Sequence, residues 1–556
     1  MKARTHSLPS FSAWLNKGFD LRSHASRMTD SRTDPDISPQ SVFLALFHSF
    51  VFRLPSFQQL DSELAHSYFQ QWIGAERAFR DDTLRYSLCG FDLDPLEAML
   101  VDVNRRLKRG KAFDEGRVQG RLVAALDGIE VLSSFSRRCE NCLERRVILK
   151  DPAGRKIEQT QYYHRAVACQ MVHSPVKPFL AMEWLRPGEG EDTAALRLLT
   201  RLPDLYGSRF FDILLLDALY AQTPVLELIE RTGWDAVISL KQNSRDLYQA
   251  AVRLFARRPP DLTLVQQRDH KTYRVQLWDT EGLPFTIDHP QPVRVVRSEE
   301  VLERNRYRQG ERTLQATDQE WLWVTTLPPQ SFPTRVVHQL GHGRWKQENN
   351  GWMDLTQHWA FKHGFLHACQ HRPRRTNASG QREPVPNRGL EAVVFILLIA
   401  FALSSVFVLR HSKLVRRDHL TAVAVAAQLR AWISKAPPLD SSACLNDAEP
   451  VSLSALPPCL RTRRRLRLLV LFRQLAGHCS PLPISRVGLP TVFQPRFCPR
   501  RRSSRCEIAS HPLHAKFLLP HLRGLPFVTQ KGYDGSAGVC PAIAPWMAMF
   551  PRVPSR

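Results

Sequence analysis

At 556 residues, with 43% hydrophobic and 23% charged side chains, the sequence has the composition of a soluble globular protein of about two to four domains. Its 77 Lys and Arg exceed its 53 Asp and Glu, and the net charge of +24 favours a polyanionic partner because each phosphate neutralised by a basic side chain releases a counterion, with a membrane surface or plain solubility as the alternatives. The opening MKARTHSLPSFSAWLNKGFDLRSH lacks the continuous apolar stretch of a secretory signal, and eleven cysteines without a dense framework point to a reduced, intracellular chain.

Residues 1–40 are polar and are expected to be flexible. Residues 41–115 read as helices, amphipathic over SVFLALFHSFVFRLPSFQQLDSELAHSYFQQWI, broken at Pro55 with Ser56 as an N-cap, and resuming at Asp94. They form a candidate DNA-recognition domain, with ordinary packing helices as the alternative. From Gly116 strands and helices alternate. LVAALDGIEVLSSF reads as two strands around Asp127, YYHRAVACQMV as another from Tyr162, and FDILLLDALY as a short apolar strand of a sheet buried on both faces. A helix ending at Gly233, the strand WDAVISLKQ and the helix DLYQAAVRLFARR follow. Residues of about 260–328 carry strand patterns with no helical period, and the helix bearing Glu348 comes after them.

The whole reads as an α/β fold: a mixed-sheet core over 116–380 with a strand-rich insertion, plus helical N-terminal and C-terminal regions. The apolar run Val393–Leu409, within the C-terminal helices at 381–435, is expected to be a buried helix rather than a membrane span, so no membrane partner is expected. Residues 436–556 hold 17 Lys and Arg against 5 Asp and Glu, half the net charge, together with 17 of 39 prolines. This basic, Pro-rich tail is expected to be disordered. Its segments Arg461–Arg467 and Pro499–Arg505 are candidate DNA-binding arms, and a frame-altered extension is the alternative.

Three acids stand out from this frame. Asp127 ends the apolar part of RLVAALDGIE, Asp217 ends FDILLLDALY, and Glu348 lies in GRWKQENNGW. In open α/β sheets, functional groups gather at the carboxyl ends of strands. Clustered acids repel one another unless cations neutralise them, and hard oxygen ligands suit Mg²⁺ or Mn²⁺.

The segments LVAALDGIE, ILLLDALYA and RWKQENNGW resemble the catalytic motifs of DDE transposases of the insertion-sequence-four group, and the resemblance covers roughly residues 40–430. It implies an RNase H-like catalytic core in which Asp127, Asp217 and Glu348 are the catalytic, metal-holding acids. It also implies cleavage at the ends of a mobile element, attack of the released 3′-hydroxyl on target DNA, and paired-end synapsis by a dimer on double-stranded DNA. A cytoplasmic, nucleoid-associated location follows. The family's arginine four residues before the glutamate falls on Arg344, while Gly341 and Leu355 stand where a tyrosine and a lysine are expected. Arg344, Lys346, Lys241, Arg137 and Arg138 are the candidate DNA-binding residues, each with a solvated basic surface as the alternative. A catalytically impaired relic that only binds DNA is the alternative for the chain as a whole.

Two further features are weighed against plain packing. Cys139 and Cys142 form a CxxC, with only His164, Cys169 and His173 as scattered further ligands, so reduced loop cysteines are preferred over zinc. Trp278 and Trp321 are read as core residues rather than platforms for an unpaired base.

Overall fold

The computed structural model describes residues 7–435 apart from 151–153, 242–244, 269–270, 287–289, 309–310, 368–372 and 378. The tail at 436–556, with its two arginine-rich segments, lies outside the described residues. Seven helices come first: α1 (Leu8–Phe19), α2 (Leu21–Ala25), α3 (Pro39–Val51), α4 (Phe57–Leu64), α5 (Ser67–Ile73), α6 (Asp81–Cys89) and α7 (Asp94–Arg109). Capping hydroxyls set their starts: Ser38 Oγ accepts the Ser41 amide at 3.1 Å, and Ser56 Oγ accepts that of Gln59 at 3.3 Å.

Residues 8–25, expected to be flexible, are two ordered helices instead. Leu8, Phe11, Leu15 and Phe19 fall on one stripe at helical spacing and are buried, and Ser7 Oγ accepts the Ser10 amide to cap α1. The stripe docks on a C-terminal helix, with the Phe11 ring centroid 4.9 Å from that of Phe407. Average polarity hid this spacing.

The sheet begins with β1 (Val123–Ser134), β2 (Leu143–Lys150), β3 (Lys156–Met171) and β4 (Phe179–Trp184). After α8 (Glu191–Tyr206) come β5 (Ile213–Leu216), α9 (Thr223–Thr232), β6 (Asp235–Leu240) and α10 (Arg245–Phe255). Four more strands follow, β7 (Leu262–Arg268), β8 (Lys271–Pro284), β9 (Pro292–Arg308) and β10 (Glu311–Thr325). All ten form one mixed sheet in the order β2-β3-β1-β5-β6-β10-β9-β8-β7, with β4 paired to β3. Strands β1, β5 and β6 are parallel, β3 runs antiparallel to β1 and β4 antiparallel to β3. The run β4-β3-β1-β5-β6 is consistent with an RNase H-like core, and β7–β10 extend it as an antiparallel meander joined through β10 to β6.

One strand reading needs correction. VAALDGIEVLSS is a single strand, not two, and Asp127 and Gly128 pair within it to Ala168 and Val167 of β3. Gly128 marks a close approach rather than a break, because a Cβ there would collide with the Glu191 carboxylate at the start of α8.

After the sheet, α11 (Thr334–Gly343) runs through Arg344 into α12 (Trp345–Gln347), a π-type turn at Glu348–Trp352, and α13 (Met353–His358). Arg344 itself has right-handed helical angles, so the segment is one helix carrying a π-bulge. The chain ends, within the described residues, in α14 (Gly389–Arg410), α15 (Ser412–Arg417) and α16 (Ala422–Lys435). Among the described residues α14 is the one helix long and apolar enough to cross a membrane, yet 72% of its most apolar window is buried. It packs against α3, α6 and α7, so its apolar surface serves the helical core.

Candidate active site

Register alone brings the two aspartates together. Ala125 of β1 is level with Leu215 of β5, and Leu215 with Val237 of β6. Side chains alternate along strands, so Asp127 and Asp217, each two residues on, project from the same face and sit side by side. That face is otherwise apolar: Val123, Ala125, Ile213, Leu215, Val237 and Trp323 pack with Val337 and Leu340 of α11. The helix carrying Arg344 and Glu348 is thereby laid across the face that displays both aspartates.

Arg344 stands between them. Its guanidinium lies 3.4 Å from Asp127 Oδ2 and 3.8 Å from Asp217 Oδ1, and its Nε has no hydrogen-bond partner among the described residues. Burial pushes the Asp127 carboxyl up to about 6, Arg344 pulls it back, and Glu191 and Asp217 raise it further. The Gly128 amide donates to Asp127 Oδ1 at 3.0 Å. Lys241, just past β6, is exposed and places Nζ 3.4 Å from Asp217 Oδ2.

Glu348 opens the π-type turn and is partly exposed, with no salt-bridge partner among the described residues. The residue before it is fixed: Gln347 donates through Nε2 to the Ala168 carbonyl at 2.9 Å, and Ala168 is the register partner of Asp127. Such π-bulges are frequent at functional sites because they shift a helix face without ending the helix. Lys346 is half-buried against His173, Nζ to Nδ1 3.0 Å, and burial with the nearby Lys177 charge pushes its pKa down.

Arg137 and Arg138 lie elsewhere. They follow the end of β1, seven residues of strand beyond Asp127, or roughly 23 Å at 3.3 Å per residue. Arg138 is paired with Glu144 at 3.0 Å, and neighbouring Arg145 with Glu130 at 2.8 Å. Trp278 is buried, its Nε1 donating to the Arg258 carbonyl at 3.1 Å. Trp321 is partly buried, near-parallel to Trp323 and edge-on to Trp345 beside the helix of Glu348.

Sequence reading missed Glu191, which is ion-paired with Arg165 and accepts from Tyr220 Oη at 2.7 Å, close enough to act on Asp127. No spacing in the chain signals it, because α8 reaches the back of β1 only through the fold. The departure at Gly341 now has a cause: a Cβ there would run into the buried Trp323 indole. Gly341→Ala is therefore expected to cost about 1–3 kcal/mol of overpacking despite alanine's better helix propensity. A chemical-denaturation midpoint equal to or above wild type would contradict that packing. Leu355, at the other departure, is buried in the core.

Carboxylate oxygens are donors suited to a divalent cation, and the fold brings those of Asp127 and Asp217 to one face without gathering Glu348 into a close three-acid group among the described residues. Two carboxylates meet on one face, one of them unfavourably ionised by burial, and an arginine supplies the positive charge between them.

Comparison with known proteins bears on this geometry. Residues 130–361 match the family described as the transposase DDE domain. No curated protein matches the chain. Among solved structures it is similar to the piggyBac transposase synaptic complex with hairpin DNA, at 11% identity and a TM-score of 0.33, over 82% of this chain and 89% of that one. The chain thus carries, over residues 130–361, a segment matched as a transposase DDE domain, with Asp217 and Glu348 inside it and Asp127 just ahead of it.

Proposed function

We propose that this chain is a DNA transposase that cuts at the ends of a mobile element and joins the freed 3′-hydroxyl to target DNA, using Asp127, Asp217 and Glu348. The observation that carries the proposal is the side-by-side placement of Asp127 and Asp217 with Arg344 between them, inside and at the edge of the transposase DDE match. Mg²⁺ or Mn²⁺ held by the three carboxylates would supply Lewis acidity at the scissile phosphate and a nucleophilic oxygen at neutral pH.

The residues themselves divide the remaining work. Asp127 and Asp217 offer carboxylate oxygens from a rigid sheet, whose fixed register keeps their separation constant. Arg344, with an unpaired Nε and two weak carboxylate contacts, is placed to exchange those contacts for a phosphate oxygen. Lys241, exposed beside Asp217, offers a second phosphate contact, and Lys346 a third from its half-buried position. Arg137 and Arg138 would meet DNA far from the cut, along its backbone.

The insertion-sequence-four group is the subgroup we favour, because β7–β10 intervene between Asp217 and Glu348 as that resemblance implies. Double-stranded DNA with terminal inverted repeats would be the substrate, and a dimer the synaptic form. The test incubates the purified chain with Mg²⁺, target DNA and labelled duplexes bearing the inverted repeats that flank its gene. Nicked and joined products are expected. Retention of the duplex without any cutting would replace this reading with that of a DNA-binding relic.

A further inference from the structure

We propose that Cys139, Cys142, His164 and His367 form a structural Zn²⁺ site that ties the β1–β2 turn and β3 to the segment following the Glu348 helix. This inference does not rest on the transposase reading.

The four ligand atoms converge from three separate parts of the chain. Cys139 Sγ lies 3.5 Å from Cys142 Sγ and 3.1 Å from His164 Nε2. Cys142 Sγ lies 3.5 Å from His164 Nε2 and 3.1 Å from His367 Nε2, and all four atoms fall within 4.8 Å of one another. A tetrahedral zinc with Zn–S near 2.3 Å and Zn–N near 2.0–2.1 Å has ligand–ligand edges of roughly 3.3–3.8 Å, so small shifts suffice to seat the ion. Two sulfurs and two imidazoles select zinc over the hard cation expected at the carboxylates.

Local structure is arranged for this. The CxxC closes a turn, with the Cys142 amide donating to the Cys139 carbonyl at 3.3 Å and the Cys139 amide to Cys142 Sγ at 3.3 Å. His164 sits on β3 two places from the register partner of Glu144, and His367 follows a turn closed on Gly364. Cys142, His164 and His367 are all under a tenth exposed, and Cys139, His164 and His367 line a cleft of about 1230 Å³ through which an ion can enter.

No oxidant is needed. Both cysteines are free thiols, binding replaces two S–H bonds by two S–Zn bonds, and the two protons pass to solvent. The sequence showed the CxxC and His164 but not the fourth ligand, because His367 is 225 residues from Cys142.

Metal content of the full chain, purified under reducing conditions and reconstituted with zinc, decides the matter. Elemental mass spectrometry should find one tightly held zinc per chain, with at least tenfold less in Cys142→Ser and in His367→Ala, and no loss in Asp217→Ala. Zinc kept at the wild-type level by Cys142→Ser, or absent from the reconstituted wild type, would overturn the site. Should the variants fail to fold, cobalt substitution of the wild type reads the ligands directly: intense tetrahedral thiolate bands support the site, and a weak octahedral spectrum refutes it.

Discussion

Asp217→Asn should lower Mg²⁺-dependent DNA cleavage at least about 10³-fold, equivalent to about 4 kcal/mol of transition-state free energy. The substitution keeps the side chain's volume and removes the negative charge that would hold the ion. Folding should change little. Asp217 is partly exposed and its two partners, Lys241 at 3.4 Å and Arg344 at 3.8 Å, are weak contacts in this structure. An end-labelled duplex assay together with a thermal melt separates the effects. Cleavage within tenfold of wild type would remove Asp217 from the site, whereas a large fall in melting temperature would recast it as a structural residue.

Asp127→Asn should be equally inactive but, without metal, more stable than wild type at neutral pH. Burial raises the Asp127 carboxyl from an ordinary 3.8 to about 6 in the fold, so the folded state holds the proton that the unfolded chain has already released between those values. The contribution of this group to stability is therefore greatest below about pH 4 and falls as pH rises toward 6. Above that it amounts to a penalty of about 3 kcal/mol at 1.36 kcal/mol per unit. The groups acting on it or acted on by it are Arg344 from the helix, Glu191 from α8, Asp217 just past β5, Arg165 from β3 and Tyr220. Denaturation in chelator at pH 7.5 and at pH 4 should show the variant ahead at the first and level at the second. Added Mg²⁺ should raise the wild type and leave the variant unmoved, since only a state that binds the ion gains from it. A variant less stable than wild type at pH 7.5 in chelator would show that Asp127 is held for folding.

The asymmetry between these two residues explains what could be read from the chain and what could not. Asp217 follows four apolar residues, Ile213–Leu216, whose burial on both faces makes the strand and its end plain. Asp127 sits inside a longer strand, and Gly128 beside it imitates a turn while making room for Glu191. Capping chemistry at Ser56 and Gly233 fixed helix ends locally, which is why those boundaries were readable. The burial of residues 8–25 was not, since their partner Phe407 lies at the other end of the described chain. Arg344 was found from its spacing to Glu348, but its position between both aspartates depends on α11 packing across the sheet. Lys346 was read as a phosphate contact from its charge, and its neighbour His173 becomes visible only in the fold. Only the tertiary fold shows Glu191 and His367, because nothing near them in sequence carries their role.

Glu348 is the acid whose part the geometry carries least directly, since Arg344 pairs with the two aspartates and not with it, and its carboxylate is not gathered with theirs into a close ligand group among the described residues. Mn²⁺ binding followed by electron paramagnetic resonance, on the wild type and on Asp127→Asn, Asp217→Asn and Glu348→Gln, therefore tests the three-carboxylate centre itself. Loss of bound Mn²⁺ by at least tenfold in affinity in all three variants is the predicted result. Wild-type Mn²⁺ affinity in Glu348→Gln, with loss in the other two, would contradict a centre built from Asp127, Asp217 and Glu348.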